Sequence, residues 1–375
     1  MGVFTVYFSG TGSNRADDHN PLYWEGELIA TLADSDQGKR FIDWIAIDGP
    51  GSGNHQHERL FVQDQDHYEV FGTAFGSGWD ENVQHALNVI KGHSDWRGDL
   101  SAEGEFERIE GEPAGVDGQR ARNSWMWQRF DHSNRKITLQ ELEEQLIKEY
   151  RKPLIPDTVN LVGWSRGAIC CHMLANAMAK DPLLSAVKVN IFAVDPVPGP
   201  FNLSPERYKL QSNVAEYVGF YARDERSMGF AAVIPFTEPG TQISVWPLPG
   251  RHATLVGNAS LDGVSEPGTL KEPGRIVRFH AADFLGRWGT VLNPALKLDQ
   301  ELLDGWYVKV AEDDAQYLAM RKHSYTVFTE EKDGQRWVYH GDQAVAYDTV
   351  NGEPFNPSEG LNLKLWKKHA EADEA

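Results

Sequence analysis

Thr158-Val-Asn-Leu-Val-Gly-Trp-Ser-Arg-Gly-Ala168 decides the fold of this chain. A β-branched, apolar run enters Gly163-Trp-Ser-Arg-Gly167, and a helix-forming segment, Ala168 to Lys180, follows at once. A strand, a sharp turn and a helix are the setting in which G-x-S-x-G holds a serine on a strained turn, its hydroxyl above the end of a sheet. The glycines on either side remove the Cβ atoms that would collide with strand and helix backbone. Ser165 is therefore the candidate nucleophile.

Working outward, Val3 to Phe8 reads as a buried strand that breaks into the loop Ser9-Gly-Thr-Gly-Ser-Asn14, and Arg40 to Ile47 as a second that ends in Asp48-Gly-Pro-Gly-Ser-Gly-Asn54. Val83, Leu87 and Ile90 mark a helix over about 80–91, and residues 92–123, polar and rich in glycine and acid, read as a loop insertion. Thr138 and Glu141 form a capping-box pair ahead of Leu139, Leu142, Leu146 and Tyr150 at helical spacing, and Pro153 and Pro156 end that helix. After the elbow helix come three more strand-like runs, Val187–Val194, Tyr217–Ala222 and Gln242–Val245, each leading into a polar loop. Strands alternating with helices predict an α/β class, an α/β-hydrolase-like, mostly parallel sheet flanked by helices. Residues 1–298 make up that domain. Residues 299–375 change character, with hairpin-like runs such as Arg336-Trp-Val-Tyr-His340 and a charged tail from Lys367, and read as a small mixed C-terminal appendage without evident chemistry.

The chain has 375 residues, 41% of them hydrophobic, which is enough to bury a large core. Its net charge of −19 argues against nucleic-acid binding and against electrostatic adhesion to anionic membranes. The two cysteines are adjacent, Cys170 and Cys171, and suit the packed face of the elbow helix better than a disulfide. No apolar run reaches the length of a membrane span, and the N-terminus shows no secretory signal. Synthesis in the cytoplasm is the expectation, with any export using a route that leaves no cleavable signal.

An elbow serine needs a base within hydrogen-bond reach and an acid to orient that base. In α/β-hydrolases these follow in the order Ser, Asp/Glu, His, on loops at the carboxyl ends of strands. Asp224, just past the strand Tyr217–Ala222, is the expected acid, and His252, after the turn that follows Gln242–Val245, is the expected base. Asp195, past Val187–Val194, is a rival acid because some hydrolases take it from that position, and His280 is the alternative base. The backbone N–H of Arg166, with one from the Gly10-Thr11-Gly12 loop, would stabilise the oxyanion. His55, His57 and His67 fit a surface loop better than a metal site, and the adjacent cysteines offer no zinc spacing, so no metal or cofactor is expected. Met228-Gly-Phe-Ala-Ala-Val-Ile-Pro-Phe236, with Met228, Phe230, Val233, Ile234 and Phe236 as its apolar members, is a candidate lid or acyl-binding wall. Trp125-Met-Trp127 offers aromatics suited to a lipid interface or to a core.

With these residues placed, the sequence resembles the DUF2235 family, which includes Tle1-like phospholipase effectors of type VI secretion. The resemblance rests on Phe8-Ser-Gly-Thr-Gly12, Gly163-Trp-Ser-Arg-Gly-Ala168, Ala222-Arg-Asp-Glu-Arg226 and Trp246-Pro-Leu-Pro-Gly-Arg-His252, in the family's order, with Asp195-Pro-Val197 similar to its Asp-Thr-Val. Ser9 stands where the family has Asp, and Thr254 and Asn258 replace an Asp and a Gly after the histidine. The resemblance implies Ser165 as nucleophile, Asp224 as acid, His252 as base, and cleavage of a carboxylic ester in a phospholipid by an antibacterial effector. It also implies a secretion-system component and a cognate immunity protein as partners. A soluble small-substrate esterase or thioesterase and a non-catalytic hydrolase-like binding module are the alternatives.

Overall fold

Apolar and β-branched residues recur in segments of four to nine along this chain, and six of these segments pair into one sheet. The computed structural model describes residues 2–15, 17–49, 79–92, 119–123, 128–131, 155–200, 202–262, 268–296, 299–323 and 336–346. The histidines at 55, 57 and 67, most of the 92–123 insertion, the helix expected from Thr138 to Tyr150, Trp125-Met-Trp127 and the tail from Lys367 lie outside these residues.

In chain order the elements are β1 (Val3–Phe8), α1 (Leu28–Ser35), β2 (Trp44–Ile47), α2 (Trp79–Ile90), β3 (Gln119–Asn123), β4 (Gln128–Asp131), β5 (Thr158–Trp164) and α3 (Arg166–Lys180). They continue with β6 (Lys188–Val194), α4 (Pro205–Tyr208), β7 (Val214–Ala222), β8 (Val233–Ile234), β9 (Gln242–Leu248) and α5 (Glu272–Arg287). The last described elements are α6 (Gln300–Glu312), α7 (Asp314–Ala319), β10 (Trp337–His340) and β11 (Gln343–Ala346). The main sheet runs β2-β1-β5-β6-β7-β9, with every neighbouring pair parallel. The chain steps outward from β1 to β2 and returns to the other side of β1 at β5. The carboxyl ends of β1 and β5 therefore flank a topological switch point, where open α/β sheets leave a crevice for ligands. Ser9 and Ser165 are the residues that leave those two ends.

Period-two alternation sorts the strands into two buried faces. Phe4, Val6 and Phe8 of β1, with Val159 and Leu161 of β5, pack against α2 and α3. Tyr7 and Val162 point the other way, into a second layer built from α1, α5 and α6. Cys170 and Cys171 are both buried in α3 and form no disulfide.

The eight segments of residues 1–298 that sequence patterning marked as strands or helices and that fall within the described residues all appear, with ends shifted by a few residues. The helices α1, α4, α5, α6 and α7 are additions. Helix α5 opens with Glu272-Pro-Gly274, which reads locally as a turn, and Pro is tolerated in a first helical turn, where its missing N–H has no partner to lose. Helix α6 starts at Asp299, whose carboxylate accepts from the N–H groups of Glu301 and Leu302. It buries Leu303, Tyr307 and Val310 at helical spacing in the same layer as α5. Residues 299–323 therefore share the core of the main sheet. The hairpin expected near Arg336–His340 is present as antiparallel β10–β11, and β10 joins β8 in parallel to make a small three-stranded sheet.

Candidate active site

The turn between β5 and α3 carries Ser165 at φ 56°, ψ −128°, backbone that few non-glycine residues adopt. The glycines on either side explain how the chain tolerates it. A Cβ on Gly163 would lie 2.6 Å from the Gly167 carbonyl, and one on Gly167 would lie 2.3 Å from the Phe8 carbonyl oxygen. Strand and helix thus approach more closely than any side chain allows. Ser165 is the N-cap of α3, yet its hydroxyl makes no capping hydrogen bond. A serine at this position usually spends its oxygen on the first-turn amides; here the oxygen is left for other chemistry. Ser165 is 6% exposed, deep but reachable.

His252 opens a short 3-10 turn, His252–Val256, beyond β9. Its ring lies 4.9 Å from the Trp164 ring, the residue before Ser165, and 5.1 Å edge-on from Phe230. Its Nδ1 is 2.7 Å from Oδ2 of Asp195, at the end of β6. That contact directs Nδ1–H to the carboxylate and leaves Nε2 as the basic nitrogen. Asp195 has φ 42°, is 0% exposed, and accepts further hydrogen bonds from Ala222 N–H at 3.0 Å and from both terminal nitrogens of Arg336 at 2.6 and 2.9 Å. Burial alone would raise its carboxyl, but the Arg336 charge and the His252 hydrogen bond outweigh it and hold the group at about 2.

Asp224 is placed differently from the expectation. Its carboxylate takes Arg223 Nε at 3.1 Å, Arg321 Nε at 2.7 Å and the Gly250 N–H at 2.9 Å, and the imidazole of His252 is held by Asp195 instead. The neighbouring Glu225 accepts from the His252 N–H at 3.1 Å. Asp224 and Glu225 together anchor the backbone that carries the histidine, and the ring belongs to Asp195. Both aspartates meet guanidinium groups, but Asp224 is taken by the adjacent Arg223 and by Arg321, whereas Asp195, held by Arg336, still offers Oδ2 to the imidazole. His280, the alternative base, lies on α5 with Nε2 3.2 Å from Tyr307 Oη and its ring stacked on Phe220. Burial, with the charge of Arg287, drives it down to about 3.

The glycine loop and the elbow are tied directly. Arg166 Nη1 donates to Thr11 Oγ1 at 3.1 Å, and a Cβ on Gly10 would strike the Trp164 indole at 2.3 Å. Arg166 opens α3, and the N-terminus of a helix, with its first N–H groups unpaired within the helix and its dipole, favours negative charge. Of the apolar stretch after Asp224, Val233 is buried in the core layer that holds α2 and α3, and Ile234 in a cluster with Val197, Tyr221 and Val338, so both serve as core and do not form a lid. Phe236 packs edge-on against Tyr208 and His340. Met228 is 46% exposed, and Phe230 reaches His252.

Sequence reasoning missed Arg336. Its contact with Asp195 spans 141 residues, and locally it is only a cation at the start of a strand. Among the described residues, no group of three or more His, Cys, Asp and Glu could hold a metal ion, and no helix is long and apolar enough to cross a membrane.

No protein-family model and no curated protein matches the chain. It is similar to the crystal structure of an uncharacterized protein from Pseudomonas aeruginosa, at 12% identity and a TM-score of 0.47 over 86% of this chain, and it spans about half (52%) of that one. It is also similar to the Tle1 effector bound to the VgrG spike of the Type 6 secretion system, at 12% identity and a TM-score of 0.41, over 88% of this chain and 81% of that one. At these values the chemistry rests with the chain's own residues.

Proposed function

We propose that this protein is a serine hydrolase of carboxylic esters, with Ser165 as nucleophile, His252 as base and Asp195 as the acid that orients it. The observation that carries this reading is the strained Ser165, whose hydroxyl makes no capping hydrogen bond, at the end of β5, together with the 2.7 Å His252–Asp195 contact at the end of the adjacent strand β6. In the reaction, His252 Nε2 takes the Ser165 hydroxyl proton as Oγ attacks the ester carbonyl carbon. The oxyanion of the tetrahedral intermediate receives the N–H of Arg166 and one from the Gly10-Thr11 loop. Collapse breaks the bond to the leaving oxygen, which receives the proton from His252 and departs as an alcohol. Water then attacks the acyl-serine, His252 takes its proton, and the acid is released with Ser165 reprotonated. Asp195 stays ionised throughout.

Within this class we assign phospholipid as the substrate. The motif resemblance in the sequence supports it. So does exposed apolar surface beside the histidine turn: Leu22 and Trp24 are tethered by the Leu22 carbonyl to Asn258 Nδ2 and by the Trp24 N–H to the Gly257 carbonyl, and Met228 is exposed near Phe230. An antibacterial role, an export partner and an immunity protein belong to the same reading and follow from the motif resemblance. Product analysis of mixed phospholipid vesicles with the wild type and Ser165→Ala tests it. Serine-dependent release of fatty acid is the expected result. Turnover of short soluble esters with no gain on vesicles would replace the lipid by a small substrate, and no serine-dependent turnover of either would leave a binding module.

A further inference from the structure

The C-terminal hairpin contributes one side chain to the site. Arg336 immediately precedes β10, is 2% exposed, and sends its guanidinium into the gap between the ends of β6 and β7. Both terminal nitrogens grip Asp195, one to each carboxylate oxygen. The same two nitrogens reach the carbonyls of Ala222 and Phe230. One cation therefore links the acid, the end of β7 and the residue whose ring abuts His252.

We propose that Arg336 is a positioning residue for the proposed reaction: its two-point grip sets the plane of the Asp195 carboxylate so that Oδ2 faces His252 Nδ1. This rests on the serine-hydrolase reading for its catalytic consequence, though not for its geometry. A carboxylate that only met His252 and the Ala222 N–H could rotate about χ2. A planar guanidinium bound across both oxygens removes that freedom, a match a lysine ammonium lacks. The pairing also supplies the charge that lets a fully buried carboxylate remain ionised while still offering an oxygen to the imidazole. The appendage that carries no chemistry in sequence thereby completes the site, because β10 is held in register by β8 through Tyr339↔Val233 and His340↔Ile234.

The test uses the full chain with Arg336→Lys and Arg336→Met, each checked by thermal melt. Two readouts are taken: kcat and KM on a short soluble ester, and the ring-proton distribution of His252 by long-range ¹⁵N–¹H correlation, assigned with His252→Asn. For Arg336→Met the expected result is a kcat loss on the order of 100-fold with KM little changed, the scale at which misplacement by about an ångström acts, together with a shift of the ring proton from Nδ1 toward Nε2. Arg336→Lys should fold and fall between. If Arg336→Met does not fold, Arg336→Lys alone decides, because loss of the two-point grip must still move both readouts. A His252 proton distribution unchanged in the folded variants overturns the proposal, whatever the turnover. If the wild type hydrolyses no ester yet the proton distribution depends on Arg336, the hydrolase reading fails and the positioning assignment stands.

Discussion

Asp195 Oδ2 and His252 Nδ1 lie 2.7 Å apart across 57 residues of sequence, joining the end of β6 to the turn beyond β9. Asp224, one strand further along the sheet, instead holds the Gly250 N–H and two arginines. The two aspartates therefore have separable effects. Asp195→Asn should lower kcat on the order of 10⁴-fold, the cost of a misoriented imidazole tautomer in a serine triad. Asp224→Asn should retain the chemistry in whatever fraction folds but lose stability, because the buried Arg223 keeps only Asp314 as a partner and Arg321, one-fifth exposed, loses its ion pair. Breaking such a pair costs roughly 3–5 kcal/mol. Paired kinetics and denaturant melts of the two variants check this.

How much of this was legible in sequence differs by element. The sheet strands were readable because a buried parallel strand is a near-continuous apolar run, as in Val159–Val162 and Val189–Val194, each broken by one asparagine, Asn160 and Asn190. The elbow was readable because its steric demands fix glycine at both flanks, at Gly163 and Gly167. The histidine could be placed, since it follows a turn at a strand's end. Sequence favoured Asp224 as the acid with Asp195 as the rival, because both leave strand ends and only the packing of Arg336 and Arg321 separates them. Helices α6 and α7 escaped because their apolar stripe is narrow, with Leu303, Tyr307, Val310 and Tyr317 among exposed acids and lysines.

Strain at Ser165 has a measurable consequence. Glycine adopts positive φ at no steric cost, so Ser165→Gly should stabilise the fold by about 1 kcal/mol or more while abolishing turnover. A higher melting temperature for Ser165→Gly than for Ser165→Ala is the expected outcome; equal values would remove the strain argument.

His172 gives the protein a defined sensitivity to acid. It is fully buried in α3 with Nδ1 2.7 Å from the Arg207 carbonyl, and burial lowers it from 6.5 to about 4. The unfolded chain therefore binds a proton that the folded chain refuses between these values. The stability this contributes is present above pH 6.5 and is lost as pH falls toward 4, up to roughly 3 kcal/mol. Urea melts across that range should show a smaller decline in His172→Asn than in the wild type.

The apolar rim separates substrates. Met228 is exposed, whereas Val233 and Ile234 are core. Met228→Ser should reduce hydrolysis of vesicle phospholipid several-fold and leave a short soluble ester unaffected, since only the former requires apolar contact outside the cleft. Side-by-side rates on the two substrates decide it; equal losses on both would place Met228 in the chemistry and not at an interface.

The central claim is that Ser165 is an activated nucleophile held beside a His252–Asp195 pair. Peptide mapping after treatment with a fluorophosphonate probe tests it most directly. The account predicts a single phosphonylated serine, Ser165, in the wild type, with labelling absent in Ser165→Ala and strongly slowed in Asp195→Asn. A folded wild type that takes no label, or equal labelling of Ser165→Ala, would contradict it.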